Sequence, residues 1–424
     1  MYFLRDGKAI VCCHNLRHVI GRFPDKSIKE IWKSEKADEI RQFIANNDLS
    51  AGCELCRVDF ENENFDFYRA VKFDNVPVHT SYPTMMEFEL GNNCNLECVM
   101  CSSEHSSCIE KKNGRIHKYQ SPFDETFVNQ LEEFIPFLQQ TRFSGGEPFL
   151  MDIYYKIWNK IHEINPNCNI EIQTNGTVLN RRVKDLLNRG RFNLYVSLDS
   201  LQKASYESIR KNADFEQTML NINYFHDYCR KKGTYFRISI CAMQQNWKEI
   251  PDLINFCNKL ESIVWISVAW LPPQVTLQAL NSKQLKDISN YLSSYNLPED
   301  TPTQQQNKRY YSGFIKLVDL WYEDALKIEG KGDLYSVSLK EIFLEKIEHN
   351  QKSTDSLTIA EKRLRNQKLF QKVEKAIDRL PNGNSISNAQ KKVLISLQDE
   401  YLVDMLESKS ESVIFEELEK FINC

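Results

Sequence analysis

Between about residues 82 and 275, short apolar runs rich in β-forming residues alternate with amphipathic segments, and this alternation limits the possible folds more than any other feature. Repeated strand–helix units join parallel strands. The pattern therefore predicts an α/β fold, a partial (β/α)6 TIM-like barrel that is an open version of the eight-stranded barrel. The predicted strands are Met85–Leu90, Thr141–Ser144, Asn169–Gln173, Asn193–Leu198, Tyr235–Cys241 and Ile263–Trp270. The predicted helices are Glu125–Leu138, Asp152–Ile164, Arg181–Asn188, Phe215–Lys231 and Trp247–Leu260.

The two flanks differ from this central region. Residues 1–75 carry cysteines and a helix signal, because Ser27 followed three residues later by Glu30 forms a capping box. The apolar residues Ile28, Ile31, Trp32, Ile40, Phe43 and Ile44 predict a helical face that ends near residues 46–48. Residues 276–424 are charged and helical in pattern, with a break at Pro381–Asn384. We expect three units: a small N-terminal module (1–75), the barrel (82–275) and a helical C-terminal extension (276–424) that serves as a cap or subunit contact.

Composition narrows the classes of partner. The net charge of −4 shows no basic excess, which argues against nucleic acid or an anionic membrane as a partner. No apolar run reaches the length of a membrane span, and the N-terminus lacks a signal-peptide pattern, so we expect a cytoplasmic protein. The thirteen cysteines are an odd number. In a reducing compartment they remain thiols unless a metal binds them.

Three cysteines, Cys94, Cys98 and Cys101, lie within eight residues directly after the first predicted strand. A closed zinc site uses four ligands, and a disulfide framework uses an even number of cysteines. Three thiolates can instead hold three irons of a [4Fe–4S] cluster and leave the fourth iron open. The spacing therefore predicts a cluster with one coordination site left for a cofactor.

This CxxxCxxC loop resembles the signature of the radical S-adenosylmethionine (SAM) superfamily. The resemblance implies that the open iron chelates the amino and carboxylate groups of SAM. It further implies that the cluster cleaves SAM reductively to methionine and a 5′-deoxyadenosyl radical, which abstracts hydrogen from a substrate. A reductase or a flavodoxin-type protein would supply the electron. No catalytic side chain of the protein itself is implied.

Further positions at strand ends resemble the family's SAM pocket. Ser144–Pro148 resembles its GGEP motif, in which two glycines allow a close approach of the backbone and the glutamate accepts from the methionine ammonium group. Short polar residues suit the ribose, an arginine pairs with the carboxylate, and Met100 replaces the usual aromatic residue against the adenine. For the strand-end polar residues, ordinary turn chemistry is the alternative. The implied SAM-binding residues are Met100, Gly145, Gly146, Glu147, Pro148, Asn175, Ser197, Asp199 and Arg210.

The N-terminal cysteines form a second pattern. Gly7 with Cys12, followed by Gly52, Cys53 and Cys56, resembles the SPASM or twitch modules that bind an auxiliary iron–sulfur cluster in many radical SAM enzymes. The module usually follows the barrel, whereas here it precedes it and would fold back near the barrel mouth. The fourth ligand stays open among Cys13, His14, Cys108, Cys424 and the substrate. A zinc site of Cys12, Cys13, Cys53 and Cys56 is the alternative.

The resemblance implies an enzyme that oxidises, crosslinks or epimerises a peptide, as in the maturation of ribosomally made peptides. One alternative is dehydrogenation or another radical modification of a small molecule such as a sugar or aminoglycoside. Another, of a different class, is a non-catalytic iron–sulfur or zinc protein that acts as a sensor or binding module. Trp270 and the turn at Leu271–Pro273 are candidates for the barrel mouth, or else for the core.

Overall fold

The computed structural model describes residues 1–16, 18–65, 70, 73, 76–77, 81–113, 121–330, 337–349, 358–380, 386–387, 390–391, 394–395, 402–403, 406–407 and 409–422. Its strands are β1 (Tyr2–Leu4), β2 (Lys8–Ile10), β3 (Gly21–Arg22), β4 (Met85–Glu89), β5 (Glu97–Cys98), β6 (Gln140–Phe143), β7 (Asn169–Thr174), β8 (Phe192–Ser197), β9 (Arg210–Lys211), β10 (Phe236–Ala242) and β11 (Ile263–Val268).

The helices are α1 (Ile28–Trp32), α2 (Glu35–Ala45), α3 (Glu54–Glu61), α4 (Ser107–Lys112), α5 (Glu125–Leu131), α6 (Asp152–Ile164), α7 (Arg181–Arg189), α8 (Lys203–Ile209), α9 (Phe215–Lys232), α10 (Ile250–Lys259), α11 (Ser282–Ser293), α12 (Pro302–Gly330), α13 (Leu339–His349), α14 (Ile359–Asp378) and α15 (Glu411–Ile422). Short 3-10 turns occupy Ile135–Phe137, Pro148–Leu150, Trp247–Glu249 and Leu277–Ala279.

Six strands form the parallel sheet that the alternation predicted. Their order across the sheet is β11, β10, β8, β7, β6 and β4, and each pairs in parallel with its neighbour. The sheet is mixed overall, and its ends do not pair with each other. The predicted open, partial barrel is therefore confirmed, and all six predicted strands are present within two residues of their predicted ends.

The two faces of this sheet differ in chemistry. One face packs under the helices, where Phe88 stacks on Phe143 and both lie in an apolar core with Trp158. The opposite face is polar: Tyr195 donates to Glu171, and Arg237 stacks over the Tyr195 ring. This alternation follows from the two-residue period of a strand. Polar side chains thus line the concave side of the barrel.

The N-terminal segment joins the barrel sheet, which the sequence did not predict. β1 pairs in parallel with β4, with Phe3 opposite Phe88, and β2 and β3 follow in antiparallel order. The nine-stranded sheet therefore continues without a break from the barrel into the N-terminal module. Phe3 also packs on Phe127 with ring centroids 5.1 Å apart, so both units share one core.

Three helix predictions need correction. The apolar face expected along residues 28–44 belongs to two helices, because Ser34 accepts from Ala37 N and starts α2; Ile44 is 53% exposed. The helix expected to reach Leu138 ends at Leu131 and is followed by a 3-10 turn with Pro136 near its start, since proline cannot donate a helical hydrogen bond. The predicted helix from Trp247 starts with a 3-10 turn, and α10 follows from Ile250. The Ser27–Glu30 capping box is confirmed.

The C-terminal helices divide between two cores. α11 and α12 belong to the barrel core, where Phe314 and Val318 are fully buried. α13, α14 and α15 form a second core around Phe343, Val373 and Ile414. The first two helices after residue 276 thus pack with the barrel, and the predicted boundaries at residues 75 and 276 stay predictions. The predicted break at Pro381–Asn384 lies outside the described residues.

Candidate active site

The cluster-binding loop is fixed by a two-residue ladder between β5 and β9. Cys98 lies opposite Arg210 in this antiparallel pair, and the Arg210 Nη1 atom lies 4.0 Å from Cys98 Sγ as a hydrogen-bond donor. Cys94 N donates to Ser107 Oγ at 3.2 Å, and Asn175 Nδ2 donates to Cys94 Sγ at 3.9 Å. N–H groups directed at the sulfurs are the interactions that stabilise cluster thiolates. The protein therefore supplies hydrogen-bond donors to the sulfur atoms of Cys94 and Cys98.

The three cysteines face one cavity of about 560 Å³ at the carboxyl ends of the parallel strands. Six of the nine predicted SAM-binding residues line the same cavity, which is the result expected if they form one site. They are Met100, Gly145, Gly146, Asn175, Ser197 and Arg210. Such a volume is typical of a site for a cofactor-sized ligand. The structure therefore brings together residues spread over more than one hundred positions of sequence.

The turn after β6 requires glycine, because the cluster-binding loop lies very close to its backbone. Gly146 has φ of +46°, and a Cβ there would lie 2.4 Å from the carbonyl oxygen of Asn93. Gly145 has φ of +80°, and its Cβ would lie 2.9 Å from the carbonyl oxygen of Gly91. Glu147 N donates to that same Asn93 oxygen at 2.7 Å. Only glycine allows the two backbones to approach this closely.

Glu147 and Pro148 lie behind the cavity wall. The Glu147 carboxylate accepts from Thr174 Oγ1 and from the backbone N–H of Asn175, both at 2.7 Å. It also accepts from Phe149 N, and its side chain is fully buried. Burial raises the pKa of Glu147 to about 7, against the opposing effect of these donors. Glu147 thus connects the glycine turn to the end of β7, and its predicted contact with SAM stays a prediction.

Asp199 lies behind Arg210. Its carboxylate lies 2.7 Å from Arg210 Nη2, and it also accepts from Cys241 N at 2.7 Å. Both side chains are buried. Burial tends to lower the pKa of Arg210, but the negative charge of Asp199 raises it and the net shift is upward, so the guanidinium stays charged. Asp199 therefore orients Arg210 toward the cavity, and its predicted ribose contact stays a prediction.

The cysteine thiols lie in a protected environment. Burial raises the pKa of Cys94 to about 11, against smaller effects of nearby N–H donors. Burial also raises the pKa of Cys98, with Arg210 acting in the opposite direction. Without metal these groups stay protonated at neutral pH. The thiolates are therefore expected to form as iron binds, which is the usual coupling between thiol ionisation and metal loading.

The cavity wall also contains residues outside the predicted SAM site. Trp270, Leu271 and Pro272 line the cavity, which agrees with one of the two interpretations that the sequence left open for them. Gln173 and Cys241 lie at strand ends, and that position was a usable signal for both. The other three residues could not be predicted, because the sequence pattern does not indicate the path of the loops that carry them. They are Ser102, His105 and Lys409.

The N-terminal cysteines form a second cluster of thiols. Burial, and then the charges of Cys12 and Cys53, raise the pKa of Cys56 to about 12, so these three thiols lie within electrostatic reach of one another. Asn15 connects the two segments: its Nδ2 donates to Ala51 O at 2.7 Å and lies 4.0 Å from Cys53 Sγ. Asn15 is fully buried.

Cys13 lies near Tyr2 of β1 and Arg142 of β6, because its charge contributes to raising the pKa of both. Its predicted role as a ligand of the N-terminal cluster stays a prediction. Among the described residues, no three His, Cys, Asp or Glu side chains converge on a position for a single metal ion. Cys424, another candidate for the fourth ligand, lies outside the described residues.

Comparison with known families agrees with this geometry. Residues 88–257 match the model of the Radical SAM superfamily, and residues 1–57 match the SPASM model, an iron-sulfur cluster-binding domain. The chain thus contains a radical SAM domain, preceded by a SPASM-type module. The predicted cofactors are thereby confirmed: a [4Fe–4S] cluster with SAM, and further iron–sulfur binding in the N-terminal module.

Similar proteins include enzymes named GTP 3′,8-cyclase. A probable GTP 3′,8-cyclase of Methanocaldococcus jannaschii is 27% identical over 244 residues, which cover 58% of this chain and 74% of that protein. The GTP 3′,8-cyclase of Rhizobium etli is 25% identical, over 41% of this chain and 48% of that protein. The GTP 3′,8-cyclase of Clostridium botulinum is 28% identical, over 39% of this chain and 50% of that protein. The chain thus spans about half the length of the latter two relatives.

The solved structures that are similar to this chain are more distant. Streptococcus suis SuiB bound to the precursor peptide SuiA has a TM-score of 0.38 and 13% identity, over 61% of this chain and 59% of that one. The enzyme anSMEcpe with bound AdoMet has a TM-score of 0.36 and 18% identity, over 62% and 65%. At these scores neither likeness supports an argument about this chain. Within the described residues, every helix is too short or too polar to cross a bilayer.

Proposed function

We propose that this protein uses SAM and a [4Fe–4S] cluster to abstract hydrogen from a substrate bound at the mouth of the barrel cavity. The observation that carries the proposal is that Cys94, Cys98 and Cys101 line one cavity with six residues of the predicted SAM site. A protein that only stored a cluster would have no need for an open chamber beside it. The sensor or binding-protein alternative therefore loses support.

The residues have distinct roles in this proposal. Cys94, Cys98 and Cys101 hold the cluster, and Arg210, oriented by Asp199, pairs with the SAM carboxylate. The tight turn at Gly145–Gly146 brings backbone groups to the methionine ammonium group. Hydrogen-bonding groups for the ribose come from Asn175 and from Ser197, whose Oγ accepts from Gln173 at 3.1 Å.

Met100 provides the adenine contact in this proposal. It packs at the edge of a small apolar cluster that includes Ile209, Met243 and Ala269. A thioether is apolar and polarisable, so it can lie against an aromatic base. When bound, SAM and the cluster supply one-electron reductive cleavage followed by hydrogen-atom abstraction. The protein itself binds both groups, orients them and keeps water from the reacting carbon.

For the substrate we propose a peptide, which the enzyme oxidises, crosslinks or epimerises. Support comes from the SPASM-type module, because such modules accompany many peptide-modifying members of the superfamily. An electron donor of the reductase or flavodoxin type completes the system. A second candidate is a small anionic molecule. It is favoured by the basic lining of the cavity and by the similarity to enzymes named for a nucleotide substrate.

The second cluster would lie in the N-terminal module, held by Cys12, Cys53 and Cys56. We propose that it binds substrate or takes up an electron after hydrogen abstraction, which makes the net reaction an oxidation. The adjacent β1–β4 pairing connects this module to the first barrel strand. A four-thiolate zinc site would instead need Cys13, whose charge acts on barrel residues.

The decisive experiment measures SAM cleavage. The full chain is reconstituted anaerobically with iron and sulfide, reduced, and incubated with SAM. We expect 5′-deoxyadenosine from the natural sequence and none from Cys98→Ala. Cys168→Ala is the matched control, because Cys168 is a buried thiol just before β7 that does not line the cavity. Absence of 5′-deoxyadenosine from a fully loaded protein, with or without candidate peptides, would contradict the proposal.

A further inference from the structure

The cavity extends beyond the residues assigned to SAM. Its outer part is formed by Ser102 and His105 after the cluster loop, by Trp270–Pro272 after β11, and by Lys409 just before α15. Besides cysteines, the charged or titratable side chains on the described lining are Arg210, His105 and Lys409. All three are basic types. Arg210 is committed to Asp199 and the SAM carboxylate, so His105 and Lys409 have no assigned role.

His105 is held at the wall by a buried acid. Its Nε2 lies 2.7 Å from Glu89 Oε1, and Tyr2 donates to the other oxygen of Glu89 at 2.6 Å. Ser102 Oγ lies 3.2 Å from His105 Nδ1. The His105 side chain is 48% exposed, whereas that of Glu89 is 14% exposed. The imidazole therefore faces the cavity, and its carboxylate partner lies behind it.

Lys409, from another part of the chain, also lines the cavity with a carboxylate partner beside it. Its Nζ lies 3.4 Å from Glu104 Oε2, and Arg5 lies 3.8 Å from the same carboxylate. Lys372 donates to the carbonyl oxygens of Leu406 and Lys409, which fixes the backbone just before α15. The C-terminal helical region, whose core is separate from that of the barrel, thus contributes a cation to the active-site cavity.

The two cations oppose each other. Burial tends to lower the pKa of His105, the charge of Glu89 then raises it, and Lys409 acts to lower it. The net effect is a raised pKa, which favours the imidazolium form. Each cation has a carboxylate on its far side, Glu89 for His105 and Glu104 for Lys409, and both side chains also line the cavity. A bound oxyanion would be attracted by both positive charges and would accept a charge-assisted hydrogen bond from the Lys409 ammonium group.

We propose that His105 and Lys409 form an anion-binding subsite that positions a carboxylate or phosphate group of the substrate at the mouth of the cavity. This inference rests on the proposed function, because it takes the inner part of the cavity as the SAM site. It also gives the C-terminal helices a role: they complete the substrate site with Lys409. For a peptide substrate the anion is a side-chain or terminal carboxylate, and for a nucleotide it is a phosphate.

The test is equilibrium binding without turnover. The full-length, reconstituted, SAM-loaded protein is titrated calorimetrically with inorganic triphosphate, with GTP, and with a capped peptide that contains one glutamate. The same peptide with glutamine is the neutral probe. We expect Lys409→Gln and His105→Gln each to weaken anion binding about tenfold or more, the usual effect of losing a charged hydrogen bond. Lys283→Gln, an exposed change on α11, should leave binding unchanged.

SAM affinity and 5′-deoxyadenosine formation are measured in the same variants. We expect both to stay at the level of the natural sequence, which separates this subsite from the SAM site. Binding of triphosphate and GTP alone would assign the subsite to phosphate, and binding of the glutamate peptide alone would assign it to a carboxylate. Equal affinities in the natural protein and Lys409→Gln, or no anion binding at all, would overturn the inference. Absence of SAM cleavage by the natural sequence, with anion binding intact, would instead contradict the proposed function.

Discussion

The two cysteine sites lie on one continuous sheet but are built in different ways. The barrel site places three cysteines in eight residues, and a two-residue ladder and a serine hydrogen bond hold that loop. The N-terminal site collects Cys12 from a loop, Cys53 from the residue before α3 and Cys56 from α3 itself, with buried Asn15 between these segments. The first site is therefore nearly encoded in local sequence, whereas the second exists only when the segments pack together.

Removal of the barrel cysteines should have the largest effect. In Cys98→Ala, iron at the barrel site should fall by about four atoms per chain, since a cluster with two cysteine ligands is not retained. The Cys12/Cys53/Cys56→Ala triple variant should lose the second cluster and keep SAM binding. Colorimetric iron analysis and SAM titration on both proteins give the comparison. If the triple variant lost zinc and kept all its iron, the N-terminal site would be a zinc site.

The adjacent cysteines Cys12 and Cys13 provide a sharper test within the second site. Cys12→Ala should remove most of the iron of the N-terminal module, because this thiol faces Cys53 and Cys56. Cys13→Ala should retain it, because the Cys13 charge acts on Tyr2 and Arg142 instead. Iron content per chain and visible absorption measure both. Equal loss in the two variants would show that Cys13 is the fourth ligand.

The buried ion pair behind the barrel site should dominate its stability. Asp199→Asn leaves the buried Arg210 guanidinium without its counter-charge, and such losses cost about 3–5 kcal/mol. Asp185→Asn, which removes an exposed partner of Arg181, should cost about 0.5 kcal/mol or less. Urea unfolding of the three proteins measures the free energies. Similar values for the two variants would mean that Asp199 does not hold Arg210 in solution.

The barrel site should also show a distinct dependence on pH. The pKa of Glu147 rises from about 4.5 to about 7 in the folded protein, so the folded state holds its proton more tightly than the unfolded chain. The difference in free energy of unfolding between the natural protein and Glu147→Gln should therefore fall by about 3 kcal/mol as the pH rises from 4.5 to 7. Above pH 7 this difference should stay constant. Urea midpoints across this range measure the difference. A rising difference would show that the three hydrogen-bond donors outweigh burial.

The smallest expected effect concerns the connection within the N-terminal site. Asn15→Ala removes the bond to Ala51 O and the acceptor of His18 N, at a cost of about 1–3 kcal/mol. We expect iron of the N-terminal module to be lost faster to a chelator, with the barrel cluster unaffected. Asn290→Ala, an exposed change on α11, is the control. Unchanged release would mean that the two segments assemble without Asn15.

The sequence predicted the barrel well because its signals are local and periodic. All six strands and the capping box at Ser27 rest on residues only a few positions apart. The convergence of the predicted SAM-binding residues on one cavity was also predictable, since parallel strands bring their carboxyl ends to one edge. The helix boundaries were harder to predict. The apolar pattern continues past Ser34 and Pro136, although a new helix begins after Ser34 and a 3-10 turn contains Pro136.

By itself, the sequence determined the class of barrel, and it predicted three cysteines and six further residues that line one cavity. Tertiary structure alone decided that β1 extends the barrel sheet, that Cys12 approaches Cys53 and Cys56, that Asp199 lies behind Arg210, and that Lys409 reaches the cavity. The physical reason is the range of the interactions. Periodicity and turn chemistry act over a few residues, whereas contacts such as that of Lys409 with Glu104 join segments about three hundred residues apart, and no local pattern encodes them.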